Sequence, residues 1–162
     1  MPRSTSPRLD QHDLRILDAL QRRGDITMTE LSEVVHLSHS QCSRRIKQLQ
    51  AAGLIRSYVA LLEPAPLGLG LKCYVHVRLR HNADPASTFR GLVGDCPEIL
   101  ECSMVTGDGD FLIKTVTRDL EHFHEILGRI ADCGEVSDMR SSIVVEDMKE
   151  TTALPLTAYR PR

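Results

Sequence analysis

A chain of 162 residues has room for one large domain or two small ones. Its 41% hydrophobic and 26% charged residues are ordinary for a globular protein, and with 4% aromatics and no Trp the core has to be aliphatic. No run nears the roughly 18 apolar residues of a membrane span and the opening MPRSTSPR lacks a signal peptide's apolar stretch, so a cytoplasmic protein is expected.

Five cysteines (Cys42, Cys73, Cys96, Cys102 and Cys133) are odd in number and contain no CxxC pair. Buried free thiols are expected rather than disulfides or zinc, and neither a metal nor a cofactor. Net charge is −2 overall but unevenly divided: residues 1–60 hold 9 Lys+Arg against 6 Asp+Glu, the remainder 11 against 16. Opposite signs in the two halves predict that one half meets an anion and the other does something else.

Residues 1–8 read as an N-terminal tail. Asp10 is a good N-cap, and Leu14, Ile16, Leu17 and Leu20 repeat at helical spacing up to Gly24. Thr27-Met-Thr-Glu30 and Ser38-His-Ser-Gln41 are two capping boxes, each opening a short helix. Leu31, Val34 and Val35 supply the apolar face of one, and Cys42, Ile46 and Leu49 that of the next, which stops at Gly53. Two capped helices across a tight turn form a helix-turn-helix pattern. Between Ser38 and Ala52 the last helix carries Arg44, Arg45 and Lys47 and no acid. Its small polar start suits a helix N-terminus entering the major groove of double-stranded DNA. The candidate DNA contacts are Ser38, His39, Ser40, Gln41, Ser43, Arg44, Arg45, Lys47 and Gln48, with Ser and Gln suited to base edges and the cations to phosphates. A merely solvated basic face is the alternative. The segment from Gly53 reads as a wing or hinge strand. Pro64, Pro66, Gly68 and Gly70 end this domain, taken as residues 9–63 with a hinge to about residue 70.

In the second domain, residues 71–147, Leu71 to Arg80 alternates between Leu71, Cys73, Val75, Val77 and Leu79 on one face and Lys72, Tyr74, His76, Arg78 and Arg80 on the other. Asp84-Pro85 opens a helix expected to run to about Cys96. Ile99–Thr106 and Phe111–Thr117 are strands joined by the turn Gly107-Asp-Gly-Asp110. Asp119 caps a helix that buries Leu120, Phe123, Ile126, Leu127 and Ile130, with His122 and His124 read as surface or partner contacts. A last strand spans Val136–Glu146, and residues 148–162 read as a C-terminal tail. The fold class is therefore α+β: an N-terminal winged helix-turn-helix domain plus a C-terminal ferredoxin-like βαββαβ domain. Such a sheet leaves one face uncovered, here with Tyr74, His76 and Val105, and a second copy of the chain is the simplest cover. Catalysis is not expected: no nucleophile–base pair or phosphate loop stands at mechanistic spacing, and Asp108 and Asp110 lack a partner acid.

Across residues 9–147 the chain resembles the Lrp/AsnC family of transcription regulators. The resemblance rests on Leu9-Asp10-x-x-Asp13-x-x-Ile16-Leu17, Leu37-Ser38-x-Ser40-x-Cys42 and Arg45-Ile46-x-x-Leu49-x-x-x-Gly53-Leu54-Ile55. In the second domain it rests on Glu101-Cys102 and Val105-Thr106-Gly107-x-x-Asp110-Phe111-Leu112-x-Lys114. It implies a homodimer, commonly assembled into a ring of dimers such as an octamer that wraps DNA at pseudo-palindromic operators, with a small amino acid as effector bound near the hairpin turn. His36 departs from the family's usual Gly, His12 from an apolar residue, and His39 and Gln41 from frequent prolines. At the turn, Gly107, Asp108 and Gly109 offer backbone N–H groups to an effector carboxylate, Asp110 a carboxylate to its ammonium, and Thr106 a hydroxyl. The alternative is that the glycines only shape the hairpin and the protein is an effector-independent architectural DNA binder of the same fold.

Overall fold

The computed structural model describes residues 8–80, 88–107 and 109–159. Three helices come first: α1 (Gln11–Arg22), α2 (Met28–Val35) and α3 (His39–Ala51). Each begins with a reciprocal cap that satisfies backbone N–H groups a helix start leaves free. Thr27 and Ser38 accept from the amides of Glu30 and Gln41, whose side chains accept in return from the Thr27 and Ser38 amides. Asp10 and Asp13 form a third such box, with Asp in place of the usual Glu or Gln. The apolar stripes converge on a core of Ile16, Leu31, Val35, Cys42 and Leu49. Val34 does not join it and is 57% exposed, which corrects the expected inner face of α2.

His36 ends α2 in the left-handed region, at φ 55° and ψ 49°, as the glycine usual at this turn implies. There the Leu37 N–H reaches the Ser32 carbonyl at 3.1 Å, one of the bonds that close a helix C-terminus. After Gly53 the expected wing strand is corrected: residues 54–63 form neither helix nor strand in the single chain. Val59, Leu61 and Leu62 stand largely exposed along it.

The second part runs β1 (Leu71–Leu79), α4 (Thr88–Asp95), β2 (Ile99–Met104), β3 (Phe111–Thr117), α5 (Leu120–Asp132) and β4 (Val136–Ile143). The expected start of α4 at Asp84-Pro85 lies outside the described residues. The antiparallel sheet has the order β2-β3-β1-β4. Cys73, Val75, Val77 and Ile113 turn one sheet face towards Phe89 of α4 and Phe123, Ile126 and Ile130 of α5. Strict alternation puts Tyr74, His76 and Arg78 on the other face, where register pairs them with Ser142, Arg140 and Asp138. Val105 lies past the end of β2. Leu120 is 61% exposed, whereas His122, expected at the surface, is buried. Its Nδ1 accepts the Arg118 N–H and its Nε2 lies 3.2 Å from Glu98, so it ties α5 to the approach of β2. All five cysteines are free thiols, and Cys42, Cys73 and Cys96 are buried.

Two units emerge. The second spans Leu62–Met148, and the first joins the described residues up to Leu61 with those from Lys149 to Tyr159. Residues 149–159 are therefore part of the helical unit, a correction to the expected tail.

Candidate functional site

On α3, burial separates two faces. Cys42 and Leu49 are buried, while Ser40, Gln41, Arg44, Lys47 and Gln48 are exposed. Spacings of three and four align these exposed residues in one stripe along the helix. Ser38 and His39 are exposed at its start and Ser43 is half-buried. Ser38 and Gln41 have capping work: the Gln41 oxygen accepts from the Ser38 amide at 3.1 Å. Among the described residues, Arg44 and Lys47 pair with no carboxylate and so carry positive charge outward.

Arg45 departs from this group. Its Nη1 lies 2.7 Å from Asp10 and 2.7 Å from Asp13, with 20% of the side chain exposed. Both carboxylates already cap α1, so one guanidinium locks the start of α1 to the middle of α3. Arg45, expected among the phosphate contacts, is turned instead to these two carboxylates and braces α3 against α1. Burial works to raise the Asp10 carboxyl, but the Asp13 amide and Arg45 outweigh it and hold the carboxyl below the ordinary range. The sequence signal is the pair of acids one turn apart at the start of α1, whose basic partner lies more than thirty residues away.

The hairpin turn between β2 and β3 is more structural than its sequence suggests. Gly107 has φ 124°, a conformation side chains resist. Gly109 is buried, and a Cβ on it would lie 3.3 Å from the Val77 carbonyl oxygen. The Asp110 carboxylate, expected to await an ammonium, accepts the Leu79 N–H at 2.7 Å, while the Asp110 N–H donates to Val77 at 2.9 Å. It thus closes the end of β1 and corrects the expectation of a free carboxylate. Thr106 and Gly107 are exposed, and Asp108 lies outside the described residues.

Beside Gly109 a cavity of about 220 Å³ opens between His76, Val77, Arg78, Asp138, Arg140 and Ser142. Of the turn residues described, Gly109 alone lines it. Sequence reasoning saw the polar face of β1 but not its meeting with β4, which depends on long-range register.

Residues 9–56 match a family profile described as winged helix-turn-helix DNA-binding, and residues 72–154 match the Lrp/AsnC ligand binding domain. The chain belongs to the Lrp/AsnC family. Among curated Lrp/AsnC relatives, the Leucine-responsive regulatory protein of Haemophilus influenzae is 36% identical over 158 residues, covering 96% of this chain and 95% of that protein. The Glutamate uptake regulatory protein of Zymomonas mobilis subsp. mobilis is 35% identical over 150 residues, 92% of each. Among solved structures, a transcriptional regulator from Neisseria meningitidis in complex with L-Met superposes with a TM-score of 0.88 at 41% identity, covering 92% of this chain and 97% of that one. The chain is accordingly an Lrp/AsnC transcription regulator with a DNA-binding helix-turn-helix and a ligand-binding domain, and not an enzyme.

Proposed function

We propose that this regulator binds pseudo-palindromic operators as a homodimer or a ring of dimers, and that a small amino acid changes its DNA affinity or its assembly. The exposed stripe of Ser40, Gln41, Arg44, Lys47 and Gln48 carries the DNA half of this reading. Cations there hold phosphates while Gln and Ser meet base edges. For the effector half, the observation that carries the proposal is the cavity beside Gly109. It collects Arg78, Arg140 and His76 with Asp138, a set that complements a carboxylate and an ammonium together. The similar Neisseria meningitidis regulator, solved in complex with L-Met, supports an amino acid as the ligand class.

The test is a thermal-shift screen against the twenty amino acids, followed by operator titration with any that stabilise the protein. Binding to the native state raises the melting temperature by an amount that grows with the logarithm of ligand concentration over its Kd. An amino acid that shifts both melting and DNA affinity is the expected result. If none shifts either, the engagement of Asp110 with Leu79 gains weight, and the protein is an effector-independent architectural DNA binder.

A further inference from the structure

We propose that residues 149–159 form a strap along α1 that positions α3 on DNA, making the C-terminal segment a working part of the DNA-reading unit. The strap is fastened near both ends of the helix. At the C-terminal end, Gln21 Nε2 donates to the Leu154 carbonyl at 3.0 Å and its Oε1 accepts the Leu154 N–H at 2.8 Å, so one carboxamide pairs with one backbone residue twice over. Asp18 holds that carboxamide in place, accepting from Nε2 at 3.0 Å while it pairs with Arg22. Near the other end, the Leu9 N–H donates to the Tyr159 hydroxyl at 3.4 Å. Between these points Leu156–Ala158 makes a 3₁₀ turn, and Ala153, Leu156 and Tyr159 are part-covered while the residues between them are exposed. A period of three with one covered side belongs to a segment laid along a surface.

The position of this strap matters. Leu9 adjoins Asp10, whose carboxylate holds Arg45 of α3. The strap therefore ends one residue from the clamp that sets α3 against α1. The chain enters its second unit at Leu62 and leaves it at Met148, so that unit is inserted within the first. Residues 144–148 span at most about 17 Å when fully extended.

The test uses the full-length protein and three changes: Gln21→Leu, Tyr159→Phe, and a chain ended after Glu150. The readouts are the Kd for a mixed-sequence duplex at several salt concentrations, amide hydrogen exchange, and oligomer size. Gln21→Leu and the truncation should each raise the Kd about threefold to tenfold. Exchange should quicken in α1, with β1–β4 and oligomer size unchanged and the salt slope retained, since no phosphate contact is lost. Combining Gln21→Leu with the truncation should weaken binding no further than truncation alone, because the truncation already removes the attachment that Gln21 makes. Wild-type affinity and wild-type exchange in α1 for the single changes would overturn the proposal. So would fully additive effects, which would mean that Gln21 acts without the strap. If the shortened chain does not fold, Gln21→Leu and Tyr159→Phe decide: together they should not exceed the larger single effect by more than about threefold, and no effect from either overturns the proposal.

Discussion

Replacing Arg44 or Lys47 by Ala removes a cation that faces outward, and in the proposed DNA-bound dimer it would remove two phosphate contacts. The slope of log K against log salt should shrink by roughly 1.8 for each, at about 0.9 per phosphate. Arg45→Ala should behave differently despite being adjacent. It strips the shared partner from Asp10 and Asp13, so it should lower the stability of the helical unit by about 1–2 kcal/mol while leaving the salt slope nearly intact. Salt titrations and melting curves on the three variants separate the two roles; a full slope change for Arg45→Ala would return it to the phosphate group. His36 calls for a change in the opposite direction. At φ 55° a β-carbon is tolerated at a cost that Gly avoids. His36→Gly should leave stability unchanged or raise it by at most about 1 kcal/mol. A clear fall in melting temperature would show that the imidazole makes a needed contact.

Caps and turns set the outcome at the scale of elements. In the cap of α2, the Thr27 amide, then the Thr27 hydroxyl and Arg23, hold the Glu30 carboxyl down from 4.5 to about 2. A depressed folded value means that the cap's contribution is complete above the ordinary value and is lost as pH falls through the folded one. The melting temperature of wild type should therefore drop more steeply between pH 4.5 and 2 than that of Glu30→Gln, which keeps an acceptor but cannot titrate. Parallel curves would remove Glu30 from the acid response. At the hairpin, the Asp110 bond to Leu79 implies that Asp110→Ala destabilises the second unit by about 0.5–1.5 kcal/mol, with Asp110→Asn recovering part of it through its remaining oxygen. Unaltered melting in both variants would free the carboxylate for a ligand role. These elements differ in how far the sequence reveals them. The boxes at Thr27 and Ser38 and the alternation through β1 are written in adjacent residues, and the fold follows from them. The partners of Arg45 and Asp110 stand some thirty residues away, and Gln21 and Leu154 are 133 apart. No local period records such pairings. The exposed polar and basic stripe of α3 was legible because it is one helix face, and the cavity beside Gly109 was not because it forms only where β1 and β4 pair.

For the whole molecule, the inserted arrangement of the units sharpens what cutting the chain should do. A fragment of residues 64–162 is expected to dimerise through its sheet domain, and a fragment of residues 1–62 to remain monomeric. The monomer loses simultaneous occupancy of two half-sites, which weakens DNA binding by roughly two to four orders of magnitude. It also lacks the strap, so joining it to an unrelated dimeric protein should restore most but not all of the affinity. Sedimentation of both fragments and operator titration of the fusion check this; a monomeric 64–162 fragment at micromolar concentration would refute the sheet-mediated dimer.

The Gln21–Leu154 pairing also bears on the order of events during synthesis. The apolar core of the helical unit draws on residues no later than Ile55, so those helices can collapse while most of the chain is still unmade. The backbone that Gln21 grips leaves the ribosome after every strand of the sheet domain. A nascent chain can thus complete its sheet before Leu154 reaches Gln21, and, on the assembly and strap proposed above, a message cut short before Leu154 would yield chains able to join full-length partners without gripping DNA as they do.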